Sequence, residues 1–370
     1  MSSAIRLDGS EGASQLVRTA LSLSLATGKS FEVQGLAKGR GETGLTTALL
    51  CCVRAAQAVS GAVVEGAEPG SDGLAFAPGP LRPGNYLLDA GSAGCVCHLV
   101  QVLAVPLGLA GAASTLKLTG LTHGAGAPTV PYLSLVWLPL LRELGHEVGL
   151  ELDAAGFAPE AGGEASLTVG VARPASPLDR RSRGTLSEVR VLSTASNLPF
   201  EAACRQSERA VQRLKEAGVW AEAENLPLRA PRSRGLCCMV LGTFERGRAG
   251  FFALGGAEAD APRLADEAVL SFVAFLRGRA AMDDVLAEQL LVPLSLAAAG
   301  LQGGARVVSR LTVAPVGEPL LLTARVIERF LEVEVALLPA GDGAQADVRV
   351  ALREDGLVAA LRGRKAGEAD

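Results

Sequence analysis

DDVLAEQLLVPLSLAAAGLQGGARVVSRLTVAPVGEPLLLTARVIERFL, residues Asp283–Leu331, carries three elements in succession. The acidic pair Asp283-Asp284 opens a long apolar run that predicts a helix over Asp284–Ala298, with a proline inside it. Gly303-Gly304 mark a turn, and the alternation in ARVVSRLTV predicts a strand near Arg306–Thr312. LLLTARVIERFL is apolar at helical spacing, broken by Arg325, Glu328 and Arg329, and predicts a second helix. The polar residues Glu288, Gln289 and Arg325 therefore sit near element ends, where sites are commonly built.

Around this stretch the composition sets limits. The chain has 370 residues, room for one large or two to three ordinary domains. It is 49% apolar but only 4% aromatic, so its core is built of Leu, Val and Ala. A net charge of −4 does not by itself favour nucleic-acid binding. Seven cysteines without a CxxC pair give neither a zinc spacing nor a disulfide framework, which predicts small buried thiols in a reducing cytoplasm. No apolar signal core opens the sequence, and no uncharged apolar run reaches membrane-helix length.

Read in order, the chain alternates strands and helices. Strands are predicted at Ala4–Leu7, Phe31–Leu36, Val63–Gly66 and Leu74–Ala77, with helices from Gln15 and over Leu45–Ser60. The pattern recurs with strands at Asn85–Ala90 and Thr115–Gly120, helices over Cys95–Leu109 and Tyr132–Leu144, and a strand at Glu147–Leu152. A third copy is predicted after Pro262, with helices Arg263–Arg277 and Asp284–Ala298 and strands near Arg306–Thr312 and Leu331–Leu338. Units of this size that recur predict three α/β repeats sharing one core, in a pseudo-threefold α/β (α+β) fold. The expected division is a core of 1–177 and 263–353, a small inserted α/β domain at 178–262, and a tail at 354–370. The insert is predicted to hold one amphipathic helix, Glu201–Ala217, and strands near Glu188–Thr194, Leu236–Phe244 and Ala249–Leu254. It has thirteen Lys and Arg against ten Asp and Glu, a balance of +3, which leaves −7 for the rest. Its arginines cluster as Arg180/Arg181/Arg183 and Arg229/Arg232/Arg234: either a grip on RNA phosphates or two solvated loops.

Several of these segments together resemble the RNA 3'-terminal phosphate cyclases, over nearly the whole chain. LDGSEGASQLVRTALSLSLATG is similar to that family's first motif, and the resemblance implies Glu11 toward ATP and a metal and Arg18 toward phosphate; an acid at a helix N-terminus is the plainer reading of Glu11. Arg40 falls where the family has a basic cluster, the rest of which is replaced by Thr47, Ala48 and Leu49. Gly91-Ser92-Ala93-Gly94 before a helix is a small-residue cradle that can face an anion. It matches the second motif, with Gln101 in the place of an ATP-contacting glutamine. AGFAPEAGGEASLTVGV is similar to a family hairpin, with Gly162-Gly163 kept. Val285-Leu286-Ala287-Glu288-Gln289 corresponds to a run that binds ATP.

The resemblance implies the cyclase fold, shared with enolpyruvyl transferases, and ATP with Mg²⁺ or Mn²⁺ as cofactors. It further implies action on RNA 3' ends: ATP-dependent conversion of a 3'-phosphate to a 2',3'-cyclic phosphate through AMP on a histidine. That histidine is absent. Its slot holds Pro319 when the alignment follows ERFL and Leu320 when it follows LLT, and neither side chain can be adenylylated. The three histidines are His98, His123 and His146. His123 stands where the family has an acid and is a candidate proton carrier or a solvent-facing loop residue; His98 is a weaker candidate. The expectations are therefore a cyclase-family protein with impaired or lost cyclisation, a non-catalytic RNA- or ribonucleoprotein-binding protein like a eukaryotic branch active in ribosome assembly, or, weakest, an enolpyruvyl-type transferase.

Overall fold

The structure is a computed structural model describing residues 4–38, 44–230, 232–340 and 345–353. Its main body repeats one path three times: strand, helix, strand, helix, strand, strand. The first copy runs β1 (Ile5–Asp8), α1 (Ala13–Thr27), β2 (Phe31–Gln34), α2 (Thr47–Ser60), β3 (Val63–Glu65) and β4 (Gly73–Ala77). The second runs β5 (Asn85–Asp89), α3 (Val96–Gly108), β6 (Ser114–Gly120), a helical segment, β7 (Val148–Ala154) and β8 (Gly163–Val169). That helical segment joins α4 (Val130–Tyr132) and α5 (Leu138–Glu143) through a π-helical stretch, Leu133–Trp137.

The third copy is interrupted. It starts at β9 (Asp179–Arg180) and leaves for an insert: β10 (Leu186–Ser196), α6 (Phe200–Glu216), β11 (Glu222–Leu228), β12 (Gly235–Phe244), β13 (Gly247–Gly255) and α7 (Ala261–Arg277). It resumes with α8 (Asp284–Ala298), β14 (Ser309–Val313), α9 (Glu318–Phe330), β15 (Val333–Ala340) and β16 (Gln345–Leu352). The three sheets read β1-β2-β4-β3, β5-β6-β8-β7 and β9-β14-β16-β15. In each, the first two strands are parallel, with a helix crossing between them, and the remaining pairings are antiparallel. A parallel pair needs such a long crossover, and the helix it supplies covers one face of the sheet.

Two boundaries differ from the sequence reading. The third copy begins before the insert, because two residues of β9 pair in parallel with Arg310 and Leu311 of β14. And α7, expected to open the third copy, instead lays Ala261, Leu264, Ala265, Ala268, Val269 and Phe272 against Val189, Val191, Leu236, Cys238 and Val240 of the insert sheet. Its apolar stripe at helical spacing was visible; its partner was not.

Helices α1, α3 and α8, the first of each copy, are buried on most sides, as expected for elements inside a shared core. One apolar cluster runs through all three copies and takes in Leu192, Met239 and Leu241 of the insert. Gly250 permits this docking: a Cβ there would lie 2.9 Å from Val136 Cγ2 and 2.6 Å from Met239 Cε.

Candidate functional site

The loops at the carboxyl ends of the parallel strands lead into the helices and touch across copies. The turn after β1 meets α9, where a Cβ on Gly12 would lie 2.9 Å from Leu322 Cδ2. Cys51 of α2 donates to the carbonyl of Ala90 after β5 at 2.9 Å. The end of an open sheet's parallel strands is where such folds gather ligands.

Between α1, α3 and α8 lies a narrow cavity of about 40 Å³. Arg18, Gln15 and Ser22 reach it from α1, Gln101 from α3, and Glu288 and Gln289 from α8. The polar groups form a chain. Arg18 donates to Gln15 Oε1 at 2.6 Å, and Gln15 Nε2 donates to Glu288 Oε1. Thr323 Oγ1 donates to the same oxygen at 3.0 Å. Burial pushes the Glu288 carboxyl up to about 7, with Arg18 pulling the other way. Among the described residues no carboxylate lies within 4.0 Å of the Arg18 guanidinium. Its positive charge is thus available to an anion, and its field is felt at His98, Cys95 and Cys52. Ser22 Oγ and Gln289 Oε1 line the cavity buried and without a partner, an uncommon condition that a bound polar group relieves.

A wider cleft of about 760 Å³ opens beside the N-terminus of α8. Its walls are aromatic and apolar: Pro128, Tyr132, Phe251, Phe252, Phe275 and Pro315. Val285, 48% exposed, projects there. Asp283 caps α8 through Oδ1, which accepts from Leu286 N at 2.9 Å, while its Oδ2 and the Tyr132 hydroxyl are buried without partners. Burial pushes Asp283 up to about 6, partly opposed by that cap. A flat ring with polar edges suits such a cleft better than a charged group.

The run Val285–Gln289 is therefore split. Val285 faces the wide cleft, Glu288 and Gln289 face the narrow cavity, and Leu286 and Ala287 are core side chains that line neither. Gly91, Ser92 and Ala93 form an exposed turn before α3, with Asp89 Oδ1 accepting from Gly91 N at 2.9 Å. Gly94 lies inside the turn, where a Cβ would come within 2.2 Å of Ala90 O. Glu11 is exposed and ion-paired with Arg325 at 2.9 Å. Among the described residues no group of three His, Cys, Asp or Glu can hold a metal. The donors fit only a cation shared with a ligand's phosphates, as Mg²⁺ commonly is. Pro319 is exposed on the first turn of α9, and Leu320 is fully buried. Arg40 lies outside the described residues.

His123 is not solvent-facing. It is 1% exposed, stacked on Phe157 at 4.5 Å between ring centroids and hydrogen-bonded through Nδ1 to Thr122 Oγ1 at 2.9 Å. Burial pushes it down to about 3. His98 is half-buried and held down to about 3 by burial and by Arg18; His146 is buried and lowered to about 4. The first arginine cluster is not free either. Arg180 pairs with Glu143, and Arg181 with Asp179 at 2.9 Å. Arg183 donates to the carbonyls of Phe275, Leu276, Gly278 and Ala280 at the end of α7. Arg229, Arg232 and Arg234 are exposed, on a loop pinned to the main body by Ser233 Oγ donating to Ala155 O at 3.1 Å.

Gln15, Ser22, Thr323, Asp283 and Tyr132 were not singled out from the sequence. Gln15 stands three residues before Arg18 on the same helix, a faint signal. Thr323 lies 308 positions from Gln15 and gives none.

Residues 9–337 match the family model described as RNA 3'-terminal phosphate cyclase. Among curated relatives, the RNA 3'-terminal phosphate cyclase of Methylococcus capsulatus is 36% identical over 92% of this chain and 95% of its own length. Those of Ralstonia nicotianae and Ectopseudomonas mendocina are 35% and 33% identical, over 94% and 95% of this chain and 97% and 98% of theirs. A solved structure, the enolpyruvyl transferase NikO from Streptomyces tendae, overlaps 46% of this chain and 33% of its own at 17% identity, with a TM-score of 0.26 that carries no weight. With a family model spanning most of its length and relatives at this identity along nearly all of it, the chain belongs to the RNA 3'-terminal phosphate cyclase family.

Proposed function

We propose that this protein binds a nucleotide and phosphorylated RNA 3' ends at the α1–α3–α8 centre but does not pass AMP through a histidine. The observation that carries this is the α9 N-terminus, where an exposed Pro319 and a core Leu320 stand in the nucleophile slot. An in-chain proline nitrogen has no lone pair to give, and leucine has no heteroatom. His123 is sealed against Phe157, and no other histidine lies on α8 or α9. In this reading ATP, when bound, would supply an activated adenylyl group, with Mg²⁺ or Mn²⁺ offsetting the charge of its phosphates. The base lies against Val285 and the aromatic wall, Arg18 neutralises phosphate, and Gln101, Glu288 and Gln289 fix the nucleotide by hydrogen bonds. Glu11 offers a single carboxylate to the metal, in competition with Arg325. In the Gly91–Gly94 turn, Ser92, Ala93 and Gly94 present backbone N–H groups to an anion, the Gly91 N–H being held by Asp89 Oδ1, and Arg229, Arg232 and Arg234 contact RNA phosphates.

The test is intact-mass spectrometry after incubation with labelled ATP and metal, beside nucleotide binding and cyclisation of a 3'-phosphorylated RNA. Binding without a protein–AMP adduct, with cyclisation absent or slowed by several orders of magnitude, supports the reading. An adduct abolished by His98→Ala or His123→Ala overturns it, and rapid cyclisation without an adduct means that the RNA phosphate takes AMP directly from ATP, with pyrophosphate as the leaving group.

A further inference from the structure

On the far side of the α7–α8 connection from the aromatic cleft lies a second concave surface. Gly278 and Ala280 line the cleft; Ala281 and Met282 line a recess that opens toward the β12–β13 hairpin. It continues into a groove of about 390 Å³ between that hairpin and α5. The floor is apolar, from Val136, Pro139, Leu140 and Phe244. The rim is basic, with Arg142 from α5, Arg246 from the hairpin turn and Arg248 from β13. All three are exposed, and among the described residues no carboxylate lies within 4.0 Å of any of their guanidinium groups. Among the described residues Arg142 donates only to Val148 O, and Arg248 only to Leu135 O. The acids nearby include Glu143, which lines the groove and is taken by Arg180, Glu188, which accepts from Thr243 Oγ1 at 3.5 Å, and Glu245 at the turn.

We propose that this groove is a track for the RNA strand upstream of the bound 3' end, with Arg142, Arg246 and Arg248 on its phosphates and the apolar floor under a base. The inference rests on the RNA-binding reading above. Three unpaired guanidinium groups around an apolar floor suit a polyanion that also carries flat rings, and a single strand offers both. The one uncharged polar side chain lining the groove among the described residues is Thr243, whose hydroxyl is turned to Glu188, so the contact is expected to be indifferent to sequence.

The experiment compares a 3'-phosphorylated 20-nucleotide RNA with a 3'-phosphorylated trinucleotide, each titrated by fluorescence anisotropy over a range of salt. Arg142→Ala/Arg246→Ala/Arg248→Ala is expected to weaken the long RNA about tenfold or more and to lower its salt slope by about 2, three phosphates at roughly 0.7 each. The trinucleotide, too short to leave the cleft, keeps its affinity. Because Arg248 also ties the hairpin to Leu135, Arg142→Glu/Arg246→Glu, which spares it, serves as a second variant and should lose more. Unchanged affinity of the long RNA in both variants overturns the proposal. So does an equal loss on the trinucleotide, or a polyglutamate peptide that needs these arginines when RNA does not, which would mark the groove for an acidic protein. If the wild type binds neither RNA, the functional reading fails and the track with it; a loss confined to the long RNA upholds both.

Discussion

Arg183 gives the sharpest test of how the insert is held. Its guanidinium donates through Nη1 to Phe275 O and Ala280 O, both at 3.0 Å. Through Nη2 it donates to Leu276 O at 2.9 Å and Gly278 O at 2.7 Å. It also lies 4.4 Å from the Phe275 ring centroid and 5.3 Å from that of Phe244. It therefore closes the C-terminus of α7, whose last carbonyls have no partners within the helix. Hydrogen bonds from a charged donor contribute roughly 1.5–3 kcal/mol each, but four acceptors share one half-exposed group and water replaces part of the loss. The helix dipole and ring contacts each add of order 0.5–1 kcal/mol. Arg183→Ala is therefore expected to destabilise the protein by about 3–4 kcal/mol. Arg183→Lys keeps the charge without the planar fork and should lose about half as much. The assay is urea denaturation followed by tryptophan fluorescence in a Trp220→Phe background, leaving the core Trp137 as reporter, together with limited proteolysis after Arg277 and Arg279. Stability of Arg183→Ala within about 0.5 kcal/mol of the parent, with unchanged proteolysis, refutes the capping argument. Where the stability does fall, RNA affinity lost by Arg183→Ala is an effect of the insert's stability rather than of a lost phosphate contact.

Other expectations follow from the same geometry. His123 is lowered to about 3 by burial, so the stability it confers is full above the unfolded value near 6.5 and is lost as the pH falls toward the folded value. Between pH 7.5 and 5 the parent should lose about 2 kcal/mol relative to His123→Phe, measured by denaturant titration at each pH; no change in that difference would contradict the burial argument. Glu288 is raised to about 7, so a neutral carboxyl becomes a carboxylate beside Arg18 as the pH rises from 6 to 8. Nucleotide affinity should fall over that range by several-fold more in the parent than in Glu288→Gln, a comparison by calorimetry in which the ligand's own titration cancels. Gly94→Ala would set a Cβ 2.2 Å from Ala90 O and should lower stability by about 2 kcal/mol or more, visible as a drop in Tm. Arg229→Ala/Arg232→Ala/Arg234→Ala should weaken RNA binding and flatten its salt dependence without changing the denaturation midpoint, because these side chains are exposed.

The helices were legible because each carries its own evidence. The apolar stripes of α6, α7 and α9 recur every three to four residues whatever lies next to them, and Gly28 and Gly61 end α1 and α2 in left-handed conformations that glycine adopts without strain. The family resemblance was legible for a similar reason, because LDGSEG, GSAG and VLAEQ are contiguous in the chain. The interruption of the third copy was less so. A two-residue strand such as β9 has no periodicity to read, and nothing in the stripe of α7 says which sheet it will cover.

What the sequence determined by itself was the content of each element and the family motifs, since both are written in contiguous residues. The tertiary structure alone decided which groups meet. It joined Gln15 to Glu288 across 273 positions, spent Arg183 on the carbonyls of α7 rather than on RNA, and stacked His123 against Phe157 out of reach of solvent. The physical reason is that periodicity and propensity act over a few neighbouring residues, whereas burial, pairing and the resulting shifts in protonation depend on side chains that the chain brings together only after its three copies have closed on a common core.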